Sequence, residues 1–148
     1  RLYNWYAVAG IHDTDPNTPN KEFAPYGWHV PTDEEWTTLE NYLIANGYNY
    51  DGTITQNKIA KAMASTTGWN SSGNSGAPGN NQNNNNSSGF NALPVGGLGN
   101  LGIADPVGAI AIFWCAEVWH RYIGPSFSAL LSGINPSWEG FSVRFVKD

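Results

Sequence analysis

Between Thr32 and Gly47 the chain carries a helix with both of its ends written into the sequence. Thr32 is a good N-cap, and Glu35 three residues later completes a capping box. Asp33 and Glu34 sit where the helix dipole favours negative charge. Trp36, Leu39 and Leu43 then recur at i, i+3 and i+7 to give one apolar face, and Gly47 is a natural stop. The spacing predicts a helix over about Asp33–Asn46. Its apolar face must be covered by the rest of the chain, which offers only short apolar runs between turn residues.

Leu2–Val8 (LYNWYAV) reads as a strand, and Gly10–Tyr26 as an irregular surface loop. A second helix is expected from about Gln56 to Ser65, with Ile59 and Met63 one turn apart. Gly73–Ser88 is low complexity, dominated by Asn, Gly and Ser, and reads as a mobile loop that cannot bury enough apolar area to offset its ordering entropy. Phe90–Val95 is strand-like, and the glycines at 96, 97, 99 and 102 mark turns. Ile110–Val118, His120–Gly124 and Ser128–Ile134 are strand candidates. Phe141–Lys147 alternates, with Phe141, Val143 and Phe145 on one face. Two helices in the first half and short strands in the second, with strands at both ends, make an α+β domain.

At 148 residues one domain with its own core is expected. Charged residues are 13%, about half the usual share, while aromatics reach 14% with seven Trp. A surface so short of charge is built from Asn, Ser, Thr, Gly and Tyr. The net charge of −5 speaks against nucleic acid and against anionic membrane surfaces, and no apolar run approaches a membrane span. Cys115 is the one cysteine, which excludes an internal disulfide and a Cys-based zinc site. No signal peptide is visible, and the chain opens at Arg1 as a trimmed or mature domain would.

GWHVPTDEEWTTLENYL (Gly27–Leu43), TTGW (Thr66–Trp69), GFNALPVGG (Gly89–Gly97) and GFSVRFVKD (Gly140–Asp148), with LYNWYAV at the start, occur in an order that resembles the Fibrobacter succinogenes major paralogous domain, a bacterial surface-associated family. The resemblance spans nearly the whole chain. It implies a C-type-lectin-like fold of the formylglycine-generating-enzyme branch, with N- and C-terminal strands paired, and a cell-surface, extracellular or virion-surface setting. The same branch includes the variable proteins of diversity-generating retroelements, prokaryotic or viral, in which a constant scaffold carries a rewritten ligand-binding face. This sequence departs from the family pattern where that likeness implies departure. IFWCAE (Ile112–Glu117) replaces a Tyr-Trp-Trp-Ser-Ser-Thr-Glu-like run, and between Trp119 and Trp138 little of the pattern remains apart from Arg121-Tyr122. The expected division is therefore a scaffold of residues 1–109 and 140–148 around a variable binding region, 110–139.

That region interleaves Phe113, Trp114, Trp119, Tyr122, Phe127 and Trp138 with Ser and Asn, the composition of adaptable paratopes. Trp114, whose family counterpart is structural, is expected in the core, and Phe113 is open between core and surface. Trp119, Tyr122, Phe127, Leu130 and Trp138 are expected to be exposed, as a binding surface would be. The expected ligand contacts are Ile110, Ile112, Glu117, Trp119, His120, Tyr122, Phe127, Leu130, Leu131, Asn135 and Trp138. The ligand is expected to be a protein on another cell or virus, or alternatively a glycan bound by a surface module that is not diversified.

Catalysis is not expected. Cys115 and His120 lack a third orienting group at recognisable spacing. The oxidases of the related branch are understood to work through two cysteines. Asp13, Asp15 and Asn17 open like an EF-hand loop, but Thr18 stands where its glycine belongs and Ala24 where its closing Glu belongs. The Glu-Pro-Asn and Gln-Pro-Asp triplets of calcium-dependent sugar binders are absent. No metal or cofactor is expected, and His29 is read as structural, bridging or capping backbone groups.

Overall fold

The computed structural model describes residues 1–99 and 102–148. It is an α+β arrangement of few helices and short antiparallel strands in two small sheets. In chain order the elements are α1 (Trp5–Val8), β1 (Trp28–His29), α2 (Asp33–Ala45), α3 (Ala60–Met63), β2 (Ala111–Trp114), β3 (Trp119–Ile123), β4 (Leu131–Ile134) and β5 (Val146–Lys147).

Helix α2 forms as its sequence dictates. Glu35 N donates to Thr32 Oγ1 at 3.2 Å, and Thr32 N donates to Glu35 Oε2 at 2.8 Å. At the other end Gly47, at φ +76°, lets its own N–H reach Ile44 O and that of Tyr48 reach Leu43 O, the paired bonds of a Schellman stop. Trp36 and Leu43 are buried and Leu39 packs beside them.

The sheet β2–β3–β4 is the centre of the molecule. Its register pairs Phe113 with Arg121 and Arg121 with Ser132, and likewise Ile112 with Tyr122 and Tyr122 with Leu131. Since side chains alternate across a strand, Ala111, Phe113, Arg121 and Ile123 share one face. Ile112, Trp114, His120, Tyr122 and Gly133 share the other. The first face packs on α2 through Trp36, Phe90 and Phe113. The second packs on the terminal segments, with Trp114 and Phe141 ring centroids 4.4 Å apart and Trp114 Nε1 donating to Tyr3 O at 2.7 Å. Covered on both faces, β2 is buried at every position.

Several expectations change. Leu2–Val8 is not a strand: Tyr3 makes one antiparallel bridge to Phe141, and Asn4 Oδ1 then accepts from Ala7 N at 2.9 Å to start α1. An Asn at that place favours a capped turn over continued extension. The pairing of the chain's ends is thus one bridge, and β5 pairs with β1 instead. The second helix shrinks to α3, because Gln56 takes φ +63° and Ala64 turns extended to bridge Ala92. Phe90–Val95 contributes that bridge alone.

Residues 73–88, expected to be mobile, are packed and hydrogen-bonded. Asn85 is buried, its Nδ2 donating to Ser65 O at 2.8 Å and Pro78 O at 3.0 Å. Gln82 exchanges both of its amide groups with the backbone of Trp69. Lys61 is buried too, its ammonium met by the carbonyls of Asn80, Asn81 and Ala77. Burial lowers its pKa from the usual value. Side-chain amides take the place of strand partners here, which is how a segment whose buried apolar content is little more than Ala77 and Pro78 becomes ordered.

Candidate functional site

Arg121 fastens β3 to α2. Its Nε donates to Asp33 Oδ1 at 2.8 Å, and its terminal nitrogens reach Thr37 Oγ1 at 2.9 Å and Glu40 Oε2 at 3.3 Å. Glu117 joins the same junction, its Oε2 accepting from Asp33 N at 3.0 Å. Glu117, expected to be a ligand contact, is exposed, and its carboxylate also satisfies a free N–H at the start of α2. Leu130 is corrected, since it lies in the same core cluster as Ile59 and Met63.

The other expected contacts divide by strand parity. Ile110, Ile112, His120, Tyr122 and Asn135 come together around one open cavity of about 470 Å³. Its floor is the second face of the sheet, and its walls are Gly99, Asp105 and the stretch Ile134–Phe141. Ile112 and His120 are buried, so they form the floor and not an exposed contact surface. Leu131 is half-buried opposite Tyr122. Trp119, Phe127 and Trp138 are exposed by 40, 55 and 60%, as expected. They do not form one patch. Trp119 opens β3, whereas Phe127 packs over Gly124 past its end, roughly 16 Å along at 3.3 Å per residue.

Chemically, the cavity is an acceptor-rich site. Asp105 and Glu139 contribute carboxylates, Glu139 is buried against the Asn135 amide, and none of the described lining residues is Lys or Arg. His120 stands among Trp114, Tyr122 and Phe141, with ring centroids 5.4 to 6.4 Å away. Burial there pushes its pKa down to about 4, so the imidazole is neutral at physiological pH. Gly133 makes room for it, because a Cβ at that position would lie 2.8 Å from His120 Nε2. Among the described residues, His120 Nδ1 is the buried side-chain atom of this lining that lacks a partner. Sequence reasoning missed Asp105, Ser132, Gly133, Ile134 and Glu139. The signal available was the scarcity of acidic residues, 12 in all, which makes Glu139, next to Trp138, worth weighing; nothing adjacent marks Asp105.

Cys115 is buried 3.9 Å from Asp33 Oδ1, and burial pushes its thiol up to about 12. It is therefore no thiolate at neutral pH. Asp13 and Asp15 spend carboxylate oxygens on the backbone N–H groups two residues on. Among the described residues no group of three His, Cys, Asp or Glu could hold a metal ion, and no helix is long and apolar enough to cross a membrane. His29 bridges carboxylates where backbone groups were expected, with Nδ1 2.7 Å from Asp148 and Nε2 2.8 Å from Glu35.

The profile of the Fibrobacter succinogenes major domain matches residues 1–147. The chain belongs to that family. The match includes residues 110–139, so the cavity and the exposed tryptophans are parts of the Fibrobacter succinogenes major domain itself. No curated protein and no solved structure matches the chain.

Proposed function

We propose that this domain is a binding module of receptor or adhesin type, on a C-type-lectin-like scaffold of the formylglycine-generating-enzyme branch. Its ligand engages the C-terminal third. The carrying observation is the convergence of Ile110, Ile112, His120, Tyr122 and Asn135 on one open cavity, since convergent polar groups in a concave site are the ordinary mark of recognition. Residues 110–139 form a segment diversified by a retroelement, and residues 1–109 and 140–148 form its constant frame. The burial pattern supports this division in part, because Trp119, Phe127, Ser132, Ile134 and Trp138 are exposed beside the buried β2 and Leu130 and can change without disturbing them. The ligand is a protein on another cell or virus, met at the cell surface, outside the cell or on a virion.

One observation favours a glycan as a second reading. Asp105, Asn135 and Glu139 offer acceptors beside the Tyr122 ring, a combination suited to hydroxyl groups on a ring with an apolar face. The test screens the domain against arrays of surface proteins and of glycans, then measures each hit again with Tyr122→Ala and Trp138→Ala. A ligand of this site loses roughly tenfold or more in affinity in at least one variant. Hits that bind both variants at full strength place recognition elsewhere and overturn the reading.

A further inference from the structure

The three-stranded sheet has one covered edge and one open edge. Outside β2, Ser142 N donates to Ile112 O at 3.1 Å and Trp114 N donates to Ser142 O at 3.0 Å. Outside β4, no strand among the described residues lies alongside. Cys115 N donates to Trp119 O at 2.9 Å, so Trp119, Arg121 and Ile123 turn their backbone groups toward β2. His120 and Tyr122 then turn theirs toward Gly133 and Leu131. By the same alternation Leu130, Ser132 and Ile134 point outward.

Leu130 is already met. Its N–H donates to Asn57 Oδ1 at 3.0 Å and its carbonyl accepts from Asn57 Nδ2 at 2.8 Å. The Asn57 amide thus stands where the next strand's peptide group would stand. The backbone groups of Ser132 and Ile134 have no such partner among the described residues, and both side chains are exposed. Open edges are usually guarded by charge, proline or a bulge. Here residues 126–138 carry no charged side chain in a chain of net charge −5, so this is where two copies can approach without repulsion.

We propose that the open edge of β4 pairs with the same edge of a second copy, antiparallel about a two-fold axis through Gly133. Ser132 then faces Ile134 of the partner subunit, each facing pair exchanging both backbone bonds. Gly133 faces its own copy at a non-hydrogen-bonded position, where Cα atoms come within about 4.5 Å and the absence of a side chain helps most. The register closes itself at both ends. The next outward residue, Leu130, is occupied by Asn57 and would meet Pro136, which has no N–H. On one face of the joined sheet the exposed cross-strand pair Trp119 and Ile134 gains a neighbour. A two-fold axis perpendicular to the sheet keeps like faces together, so the two cavities open on the same side. Resting on the reading of that cavity as the ligand site, the pairing makes a bivalent receptor, with the avidity that implies.

Sedimentation equilibrium from about 1 μM to roughly 1 mM covers the affinities open to so short an interface. The chain as given shows a monomer–dimer equilibrium within that range. Ile134→Lys sets like charges near one another across the edge and weakens the dimer by roughly tenfold or more, with an unchanged melting temperature at concentrations low enough for the chain to be monomeric. Trp28→Lys, at another exposed apolar position on the other sheet, leaves the dimer intact. If Ile134→Lys lowers the melting temperature, Ser132→Lys reads the same edge. A monomer throughout, or a dimer that survives both lysines, overturns the pairing whether or not the cavity binds a ligand.

Discussion

Residues 73–88 have the composition of a mobile loop and residues 110–139 that of a binding surface, yet the structure orders both segments, and by opposite means. The first has little apolar content and is held in place by amides. Asn85 and Gln82 act as backbone partners, and Lys61 is enclosed by carbonyls. The second is rich in aromatics, and its parity splits it between two buried faces and a few exposed positions. Composition indicates what a segment can bond to. Which side of a sheet a residue occupies is settled by register, and a shift of one residue reverses it.

The contrast is sharpest within β3. Arg121→Ala removes a buried guanidinium from two partly exposed carboxylates and is expected to cost about 1.5–3 kcal/mol, measured by chemical denaturation. A cost within about 1 kcal/mol would mean that the sheet is not anchored to α2 through this residue. Asn85→Ala, which strips two bonds from inside the Asn-rich loop, should cost about 1–3 kcal/mol. A freely moving tether would register no change. Trp119→Ala and Trp138→Ala, at exposed positions, should each cost less than about 1 kcal/mol, and a larger loss would make them core residues.

The smallest effect concerns pH. Asp148 first and then Glu35 raise the pKa of His29 above 6.5 through hydrogen bonds. Its stabilisation is therefore fully present below 6.5 and is lost as the pH rises through the raised value. Glu35 is lowered from 4.5, first by the Thr32 N–H and also by His29. Its contribution is present above 4.5 and is lost as the pH falls through the lowered value. Melting temperature against pH should decline gently on the alkaline side of 6.5, and Asp148→Asn should flatten that decline. An unchanged slope in the variant would show that the contact adds nothing to stability.

Helix α2 was legible because its cap, apolar stripe and Schellman glycine all act within one stretch of chain. The strands β2 and β3 were legible from their β-branched and aromatic runs, and β4 from the short apolar stretch Ser128–Ile134. What escaped was non-local. Nothing adjacent to Asn57 announces Leu130, and nothing near Glu117 announces the N–H of Asp33. The candidate site was half legible for the same reason. Its segment could be read from the aromatic and serine pattern, but the burial of Leu130 and the convergence of Asp105 with Glu139 depend on contacts that sequence spacing does not encode.

The most direct test of a ligand-binding face on a constant frame is to sequence codons 110–139, with flanking DNA, across many closely related genomes. Substitutions are expected to crowd at Ile110, Trp119, Tyr122, Phe127, Asn135 and Trp138, matched to adenines in a nearby template repeat. Phe113, Trp114, Arg121, Ile123 and Leu130 should hold, as should Gly140–Asp148. Variation spread evenly over the gene, or falling equally on those buried positions, would contradict that arrangement.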